Sequence, residues 1–354
     1  MGGKGRAGRG SGRAYRPPTI NDVARHAGVS PTTVSRVING ENTVRGAKRT
    51  AVLSAVEALS FKPNVAARRL AGSAPLRIGL LYGNPSASYL SEFLVGSLEA
   101  ASRLGVQLLV ERCELGDGAI VAARRLMDGG VDGMMLTPPL GDLPGLVDAV
   151  VSGGGLLTIV GSSRPAEGLP AVGIDDAAAA AAMTQHLIAL GHRRIGFVTG
   201  AMDVSVSGDR LAGYRQALRE GGIVPDDTLV VGGDYTYRSG LEGARRLLDL
   251  AVPPTAIFAS NDDMAAATAA EAQRRGMAVP GALSVCGFDD AALATAIWPE
   301  LTTIRQPIAD MARQGMTMLV DAIRQSDQEG EPQAQHRLLA FELIRRGSDT
   351  VPPS

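Results

Sequence analysis

From residue 77 onward, short apolar runs alternate with longer segments of helical periodicity. The runs are RIGLLYG, VQLLVERC, GMMLTP, GLLTIVG, RIGFVTG, TLVVGGDY, TAIFASN and LSVCGFDD. Because they lack the inside/outside alternation of a half-exposed strand, they predict strands that are buried on both faces. A parallel sheet covered by helices buries such strands, so most of the chain is predicted to be α/β.

Polar residues follow several of these runs. They are Asn84 and Ser86 after the first run, Thr137 after the third, Asn261 and Asp262 after AIFAS, and Asp289 and Asp290 after VCGF. Ligands of parallel sheets bind beyond the carboxyl ends of the strands, where amide and carboxylate oxygens accept from ligand hydroxyls. The sequence therefore predicts a site for a small, hydroxyl-rich molecule. Helix capping is the competing explanation, and for Asp262 and Asp290 we favour capping or another structural role.

The first seventy residues carry a different pattern, that of three short helices. A capping-box start at Thr19 and Asp22 precedes apolar residues that share one helical face, and Gly28 ends this helix. Ser30 and Pro31 begin a second helix, PTTVSRVIN. A third helix is predicted over about 47–59, where the residues expected to close a common core are Leu53, Val56 and Leu59.

Helix, tight turn and helix form the helix-turn-helix pattern, although a plain helical hairpin has the same spacing. The second helix is predicted to expose hydroxyls and one arginine, which suit contacts to bases and phosphates. Charge supports DNA as the partner: residues 1–72 hold 13 basic and 3 acidic side chains, whereas the remainder holds 22 and 33. Phosphate attracts such a basic segment. A solvated basic tail is the alternative on charge alone.

TINDVARHAGVSPTTVSRVINGENTVRGAKRTAVLSAVEALSFKPNVAARRLAG, residues 19–72, resembles the headpiece of the lactose-repressor (LacI/GalR) family. The resemblance implies base-reading roles for Pro31, Thr32 and Arg36, and phosphate contacts from Thr19, Thr33, Ser35 and Asn39. It also implies a hinge helix that folds over the minor groove when two subunits meet, with Asn64, Ala67 and Leu70 as its functional residues.

Residues 76–347 are similar to the effector-binding core of the same family, which is related to periplasmic sugar-binding proteins. The motifs are GHRRIGFVTG, GDRLAGYRQAL, FASNDDMAAA, LSVCGFDD and LTTIRQP. The similarity implies that Arg210, Asn261 and Asp289 contact the effector and that Tyr89 and Tyr235 are pocket aromatics; Thr137 joins them from its strand-end position. Two departures limit the comparison. Gly161-Ser162 replaces an acidic residue and an arginine found in many relatives, and Val204 replaces an arginine of a nucleobase-binding member.

The predicted fold class is an all-α helix-turn-helix headpiece followed by an α/β module of the type I periplasmic-binding-protein kind, built from two doubly wound subdomains. The predicted boundaries are a disordered basic tail at 1–18, the DNA-binding domain at 19–62, a hinge helix and linker at 63–75, the effector-binding and dimerisation module at 76–347, and a tail at 348–354. Within the module, one subdomain is expected to combine 76–173 with 305–335, and the other 174–304 with 336–347.

The expected function is that of a DNA-binding transcriptional regulator, most simply a repressor. A homodimer would bind a pseudo-palindromic operator, and a sugar effector would change operator affinity. A corepressor-type regulator that responds to a non-sugar metabolite, and a solute-binding protein without DNA function, remain alternatives. No membrane span, nucleophile motif, metal site or cofactor motif is found in the sequence, so we expect a cytoplasmic (nucleoid-associated through DNA) protein without catalytic residues, metal or cofactor.

Overall fold

The structure, a computed structural model, describes residues 19–38, 44, 46–59, 75–162, 168–326 and 335–353. Contacts divide the chain into two units, Met1–Ala74 and Pro75–Ser354. The predicted tail at 1–18, the predicted sites Asn39, Asn64, Ala67 and Leu70, and the hinge and linker up to residue 74 lie outside the described residues.

The first unit contains helices α1 (Ile20–Ala27), α2 (Pro31–Ile38) and α3 (Ala47–Ala58). The predicted capping box is present at the start of α1: the Thr19 hydroxyl accepts from the Asp22 backbone N–H at 3.4 Å, and the Asp22 carboxylate accepts from the Thr19 N–H at 2.9 Å. Gly28 ends α1 with φ of 66°, the left-handed conformation that glycine adopts without strain. The Ser30 hydroxyl accepts from the Thr33 N–H at 3.2 Å and so caps α2.

The core of this unit is small and aliphatic. Its buried residues are Val23, Ala24, Val34, Val37, Val52 and Ala55, with Val56 and Leu59 packed against them. The prediction that Leu53 closes the core is wrong, because this side chain is 50% exposed. Leu53 lies about 100° around the helix from Val52, so the inward face follows Val52, Ala55, Val56 and Leu59 instead.

The second unit contains two six-stranded sheets within the described residues. The first sheet has the order β11-β5-β4-β3-β1-β2 and is parallel throughout. Its strands are β1 (Arg77–Tyr82), β2 (Gln107–Arg112), β3 (Gly133–Leu136), β4 (Leu156–Val160), β5 (Ala171–Gly173) and β11 (His336–Leu338). We call this sheet and the helices packed on it the first subdomain.

The second sheet has the order β12-β10-β9-β8-β6-β7. It is parallel except at its edge, where β12 runs antiparallel to β10. Its strands are β6 (Ile195–Val198), β7 (Val230–Val231), β8 (Ala256–Ala259), β9 (Ser284–Asp289), β10 (Thr302–Arg305) and β12 (Glu342–Ile344). Together with its helices it forms the second subdomain. The apolar runs of the sequence thus all form strands.

Helices cover both faces of each sheet. Those of the first subdomain are α4 (Ala87–Leu104), α5 (Asp117–Asp128), α6 (Pro144–Ser152) and α12 (Ile308–Ser326). Those of the second are α7 (Asp176–Ala189), α8 (Ser205–Glu220), α9 (Tyr237–Leu248), α10 (Asp262–Arg274) and α11 (Leu293–Ala296). In each subdomain the helices pack as pairs, α4 with α12, α5 with α6, α7 with α8 and α9 with α10. Among the described helices, none is both long and apolar enough to span a membrane.

Two predicted boundaries are corrected by the strand pairing. Residues 336–347 were expected in the second subdomain, but β11 pairs with β5 of the first sheet and only β12 joins the second. Residues 348–354 were expected to form a tail, yet Ser348 is fully buried and its carbonyl accepts from Val285 N–H at 2.8 Å. These segments are held by backbone hydrogen bonds to distant strands, which local sequence patterns do not reveal.

Candidate functional site

The carboxyl ends of the two sheets open onto one cleft of about 270 Å³. The lining comes from loops after strands and from the first turns of the helices that follow them. Lining residues from the first subdomain are Gly83, Asn84, Pro85, Ser86, Tyr89, Leu115, Pro138, Pro139 and Gly161. Those from the second are Ala201, Asp203, Val204, Val206, Arg210, Asp234, Tyr235, Asn261 and Asp289, with Gln306 beyond the end of β10. Both subdomains therefore contribute to one site.

The structure brings together five of the six predicted effector residues, which are Tyr89, Arg210, Tyr235, Asn261 and Asp289. The sixth, Thr137, does not line the cleft. It is only 2% exposed, and its carbonyl accepts from the Leu140 N–H at 2.7 Å in the turn after β3. The chain turns at Thr137, and the two prolines that follow it line the cleft instead. The prediction for Thr137 is therefore corrected.

Arg210 is held in place by three contacts at the base of the cleft. Its Nε donates to Asp176 Oδ1 at 2.8 Å, and its Nη1 donates to the Ser260 carbonyl at 2.6 Å. Its guanidinium carbon lies 3.6 Å from the centre of the Phe288 ring. Stacking and a charge-assisted hydrogen bond fix the guanidinium plane, and Arg210 lines the cleft in this fixed orientation.

The charges of this pair are set by competing effects. Burial raises the pKa of Asp176, whereas Arg210 lowers it; burial lowers the pKa of Arg210, whereas Asp176 raises it above its usual value. We assign Asp176 as the carboxylate, because a guanidinium does not lose its proton and its Nε–H needs an acceptor. The result is a buried ion pair whose net charge is zero.

Asp289 lies next to this pair and has an unusual backbone and acidity. It adopts φ of 115°, and its Oδ1 accepts from Gln306 Nε2 at 2.6 Å. Burial raises the pKa of Asp289 to about 7, while Arg210 and the Gln306 hydrogen bond oppose this rise. Asp289 is thus poised to change charge near neutral pH.

Tyr235 and Asn261 are linked on the second-subdomain side of the cleft. The Tyr235 hydroxyl lies 2.6 Å from the Ser207 hydroxyl, and Asn261 Nδ2 donates to the Tyr235 carbonyl at 2.9 Å. Asn261 Oδ1 also accepts from the Met264 N–H at 2.9 Å and so caps α10. Capping and cleft lining, which the sequence offered as alternatives, are both true of this residue.

Tyr89 stands out because its hydroxyl is buried yet has no hydrogen-bond partner among the described residues. A Cβ placed on Gly161 would lie only 2.8 Å from that hydroxyl, so the glycine leaves room for it. A buried hydroxyl without a partner costs free energy. Its position in the cleft lining is consistent with a ligand that supplies the missing hydrogen bond.

Four polar residues of this region were not predicted as site residues: Asp176, Asp203, Asp234 and Gln306. One signal was available for Asp176, because a helix has a single N-cap and the sequence offers two adjacent aspartates. Asp175 is the cap, accepting from the Ala178 N–H at 2.9 Å, so Asp176 is free to face Arg210.

Asp262 has the structural role favoured from sequence, accepting from the Ala291 N–H and the Thr303 hydroxyl. Asp290 likewise pairs with Arg305 and Arg346.

In the first unit, the predicted base-reading residues Pro31, Thr32 and Arg36 lie exposed on α2. Ser35 is half-buried, and so is Thr33, whose hydroxyl lies 2.9 Å from that of Ser30. The Thr19 hydroxyl donates to Asp22. The exposed residues of α2 thus include a proline, a hydroxyl-bearing threonine and an arginine. The DNA-contact roles of these residues remain predictions.

Comparisons with known proteins extend this picture. Residues 184–348 match a periplasmic binding protein-like domain, and residues 19–64 match the bacterial regulatory proteins of the lacI family. Catabolite control protein A from Priestia megaterium is 33% identical over 304 residues, which cover 85% of this chain and 91% of that protein. The chain belongs to the lacI family of bacterial regulatory proteins. This lacI-family member is accordingly a DNA-binding transcriptional regulator, as the sequence predicted.

Solved structures of regulators resemble this lacI-family protein along nearly its whole length. A transcriptional regulator CelR–cellobiose complex is 32% identical with a TM-score of 0.72, and the match covers 94% of this chain and 99% of that one. A lac repressor dimer bound to operator and the anti-inducer ONPF is 28% identical with a TM-score of 0.68, covering 95% and 100%. The predicted fold class, a helix-turn-helix headpiece with a two-sheet α/β module, is confirmed.

Proposed function

We propose that a sugar bound in the cleft between the two subdomains controls how tightly this regulator binds its operator. The observation that carries the proposal is the cleft itself, where a fixed guanidinium, a carboxylate, an amide and an unpaired phenol converge. These groups donate to and accept from hydroxyls. The CelR structure, which contains cellobiose, supports a carbohydrate as the ligand class.

Size and surface support the same ligand class. A cavity of about 270 Å³ lies just below the roughly 300–1,000 Å³ range of small-molecule sites, so it suits a small ligand. Its walls include Tyr89, Tyr235 and the rings of Pro138 and Pro139. A sugar ring presents C–H groups to such apolar walls and hydroxyls to the polar groups between them. The cleft offers both kinds of contact.

For DNA, we propose that two copies of α2 read two half-sites of a pseudo-palindromic operator within a homodimer. Pro31, Thr32 and Arg36 would face base edges, while Thr19, Thr33, Ser35 and Asn39 would contact phosphates. Asn64, Ala67 and Leu70 would contact the minor groove. The operator-bound lac repressor dimer supports this arrangement.

We further propose that the cleft binds its ligand without changing it and that the protein acts in the cytoplasm. The named relatives are regulators, and among the described residues there is no group of three or more side chains suited to hold a metal ion. Recovering the bound sugar chemically unaltered after prolonged incubation, as judged by NMR, checks the first part. Detection of a converted product would contradict it.

The decisive experiment is a thermal-shift screen of sugars followed by operator binding with the hit present. Arg210→Lys should abolish the thermal shift, because lysine keeps the positive charge but lacks the planar guanidinium that Asp176 orients. Arg215→Lys, on the same helix and paired with Asp227 at the surface, is the matched control and should keep it. A repressor released by its inducer binds operator less tightly with the sugar present; tighter binding identifies a corepressor. If no sugar shifts the melting temperature or changes operator affinity, the proposal is wrong.

A further inference from the structure

The ion pair between Asp176 and Arg210 is almost completely enclosed. Asp176 is the first residue of α7 and Arg210 lies in α8, and each is only 4% exposed. The Arg210 Nε–H donates to the Asp176 carboxylate at 2.8 Å, so the negative charge of Asp176 neutralises the positive charge of Arg210. In a buried setting such a pair interacts strongly because water does not screen it.

Apart from two tyrosines, the other ionisable residues of the cleft lining are carboxylic acids. They are Asp203, Asp234 and Asp289, and Arg210 is the sole cation among the described lining residues. Asp203 and Asp234 are exposed at the cleft, whereas Asp289 is buried beside the ion pair. With Arg210 neutralised by Asp176, an anion that enters the cleft meets carboxylates without an unbalanced cation to offset them.

We propose that Asp176 is a positioning residue that sets the charge specificity of this cleft, so that it accepts uncharged, hydroxyl-rich ligands and rejects carboxylate- or phosphate-bearing ones. The inference rests on the proposed sugar-binding function and deepens it. Arg210 then acts as an oriented hydrogen-bond donor for ligand hydroxyls, whereas arginines that lack such a partner are the usual receptors for carboxylate and phosphate.

The variant that isolates this role is Asp176→Asn. The amide keeps an oxygen that accepts from Arg210 Nε, so the guanidinium stays oriented, but the balancing negative charge is gone. The matched control is Asp175→Asn, at the neighbouring position. Asp175 lies outside the cleft lining and caps α7 through the Ala178 N–H, a role that asparagine also fills.

The test compares matched neutral and acidic sugars by calorimetric titration, using glucose with glucuronate, galactose with galacturonate and cellobiose with its uronic acid, in which only the C6 hydroxymethyl group of one ring is oxidised to a carboxylate. For the pair whose neutral member binds, the wild type should prefer it by about tenfold or more, equivalent to about 1.4 kcal/mol. Asp176→Asn should shrink this preference by about tenfold, while Asp175→Asn leaves it unchanged. An affinity ratio responds to charge, whereas a merely structural defect would weaken both members alike.

Four outcomes overturn the inference. If the wild type binds an acidic member as tightly as its neutral partner, charge selection is absent, although the cleft still binds sugars. If Asp176→Asn folds and binds but leaves the ratio unchanged, Asp176 does not set it. If no neutral or acidic sugar binds, the proposed sugar function fails and this inference fails with it. If Asp176→Asn does not fold, the wild type is tested instead, by asking whether sulfate competes with a neutral sugar for the cleft. Strong competition contradicts the inference, and absence of competition supports it.

Discussion

Arg36 is the residue on which operator discrimination should depend most strongly. It lies exposed on α2, and a guanidinium that contacts guanine O6 and N7 contributes about 1–3 kcal/mol of discrimination. Arg36→Ala should therefore cost about 10–100-fold in the ratio of specific to non-specific affinity. Fluorescence anisotropy at fixed salt, with a duplex selected by the protein and a scrambled duplex, measures this ratio. Arg25→Ala, an exposed arginine on α1, is the control, and equal losses in both variants would contradict the assignment.

Asp289 should make sugar binding depend on pH. A ligand hydroxyl that donates to Asp289 needs the carboxylate, but burial raises its pKa to about 7, with Arg210 opposing the rise and Asp263 and Asp176 adding to it. Ligand binding should therefore release a proton below pH 7, and affinity should increase from pH 5 to 7 and then level off. Calorimetry in two buffers of different ionisation enthalpy counts the released proton. Affinity that falls over this interval would contradict the role.

The same shift has the opposite consequence for stability without ligand. The folded-state pKa of about 7 lies above the reference value of 3.8, so the folded chain holds the extra proton between these values. This contribution to stability is fully present at low pH and is lost as the pH rises from about 4 towards 7, after which it is constant. Added sugar should reduce this slope, because the bound state prefers the carboxylate.

At the level of single residues, the sequence predicted the cleft residues correctly where a polar or aromatic residue matches an effector-contacting position of the family and lies close to the end of a strand. Tyr89, Arg210, Tyr235, Asn261 and Asp289 all reach one cleft. It failed for Thr137, because a turn that begins one residue earlier or later moves a side chain out of the site. Asp176 was missed for a different reason: the Asp175-Asp176 pair indicates that one aspartate is not the helix cap, but its partner Arg210 is 34 residues away in the sequence, and no local pattern identifies that partner.

Among the helices and strands, those with a strong local signal were predicted and those without one were not. The apolar runs all form strands, and the caps at Thr19 and Ser30 mark the helix starts. The three-residue strands β5, β11 and β12 escaped prediction. So short a segment carries too few residues to display a period, and its place in the sheet is decided by the strand beside it.

Helices α7 and α8 approach each other closely at Gly213, where a larger side chain would not fit. A Cβ added to Gly213 of α8 would lie 2.0 Å from the Ala177 carbonyl oxygen of α7, so Gly213→Ala must push two backbones apart. We expect a loss of about 1–3 kcal/mol or more in the free energy of unfolding. Gly208→Ala, on the same helix with open space around it, should be neutral or stabilise by about 0.4–1 kcal/mol. Urea denaturation of both variants measures the contrast, and equal stabilities would show that the helices separate readily.

At the scale of the effector module, hydrogen bonds join the subdomains on both sides of the cleft. The Ser86 hydroxyl donates to Asp263 Oδ2 at 2.6 Å, linking the start of α4 to α10. Asp142, in the turn after β3, accepts from the Ser205 backbone N–H at 3.0 Å at the start of α8. Because the partners of each bond come from different subdomains, both bonds stabilise the closed arrangement over an open one.

Breaking the second link should therefore act on ligand and operator together. In Asp142→Ala the α8 N-terminus loses a charged acceptor, whose hydrogen bond contributes about 1.5–3 kcal/mol. The closed cleft becomes less populated, and sugar affinity should fall by about tenfold or more. Asp148→Ala, an exposed carboxylate on α6, is the control and should leave affinity unchanged.

Thermodynamic linkage adds a stricter requirement. In each variant, the factor by which sugar changes operator affinity must equal the factor by which operator changes sugar affinity. Anisotropy and calorimetry on the same samples give both factors. If Asp142→Ala leaves sugar affinity and operator response as in the wild type, cleft closure does not control DNA binding.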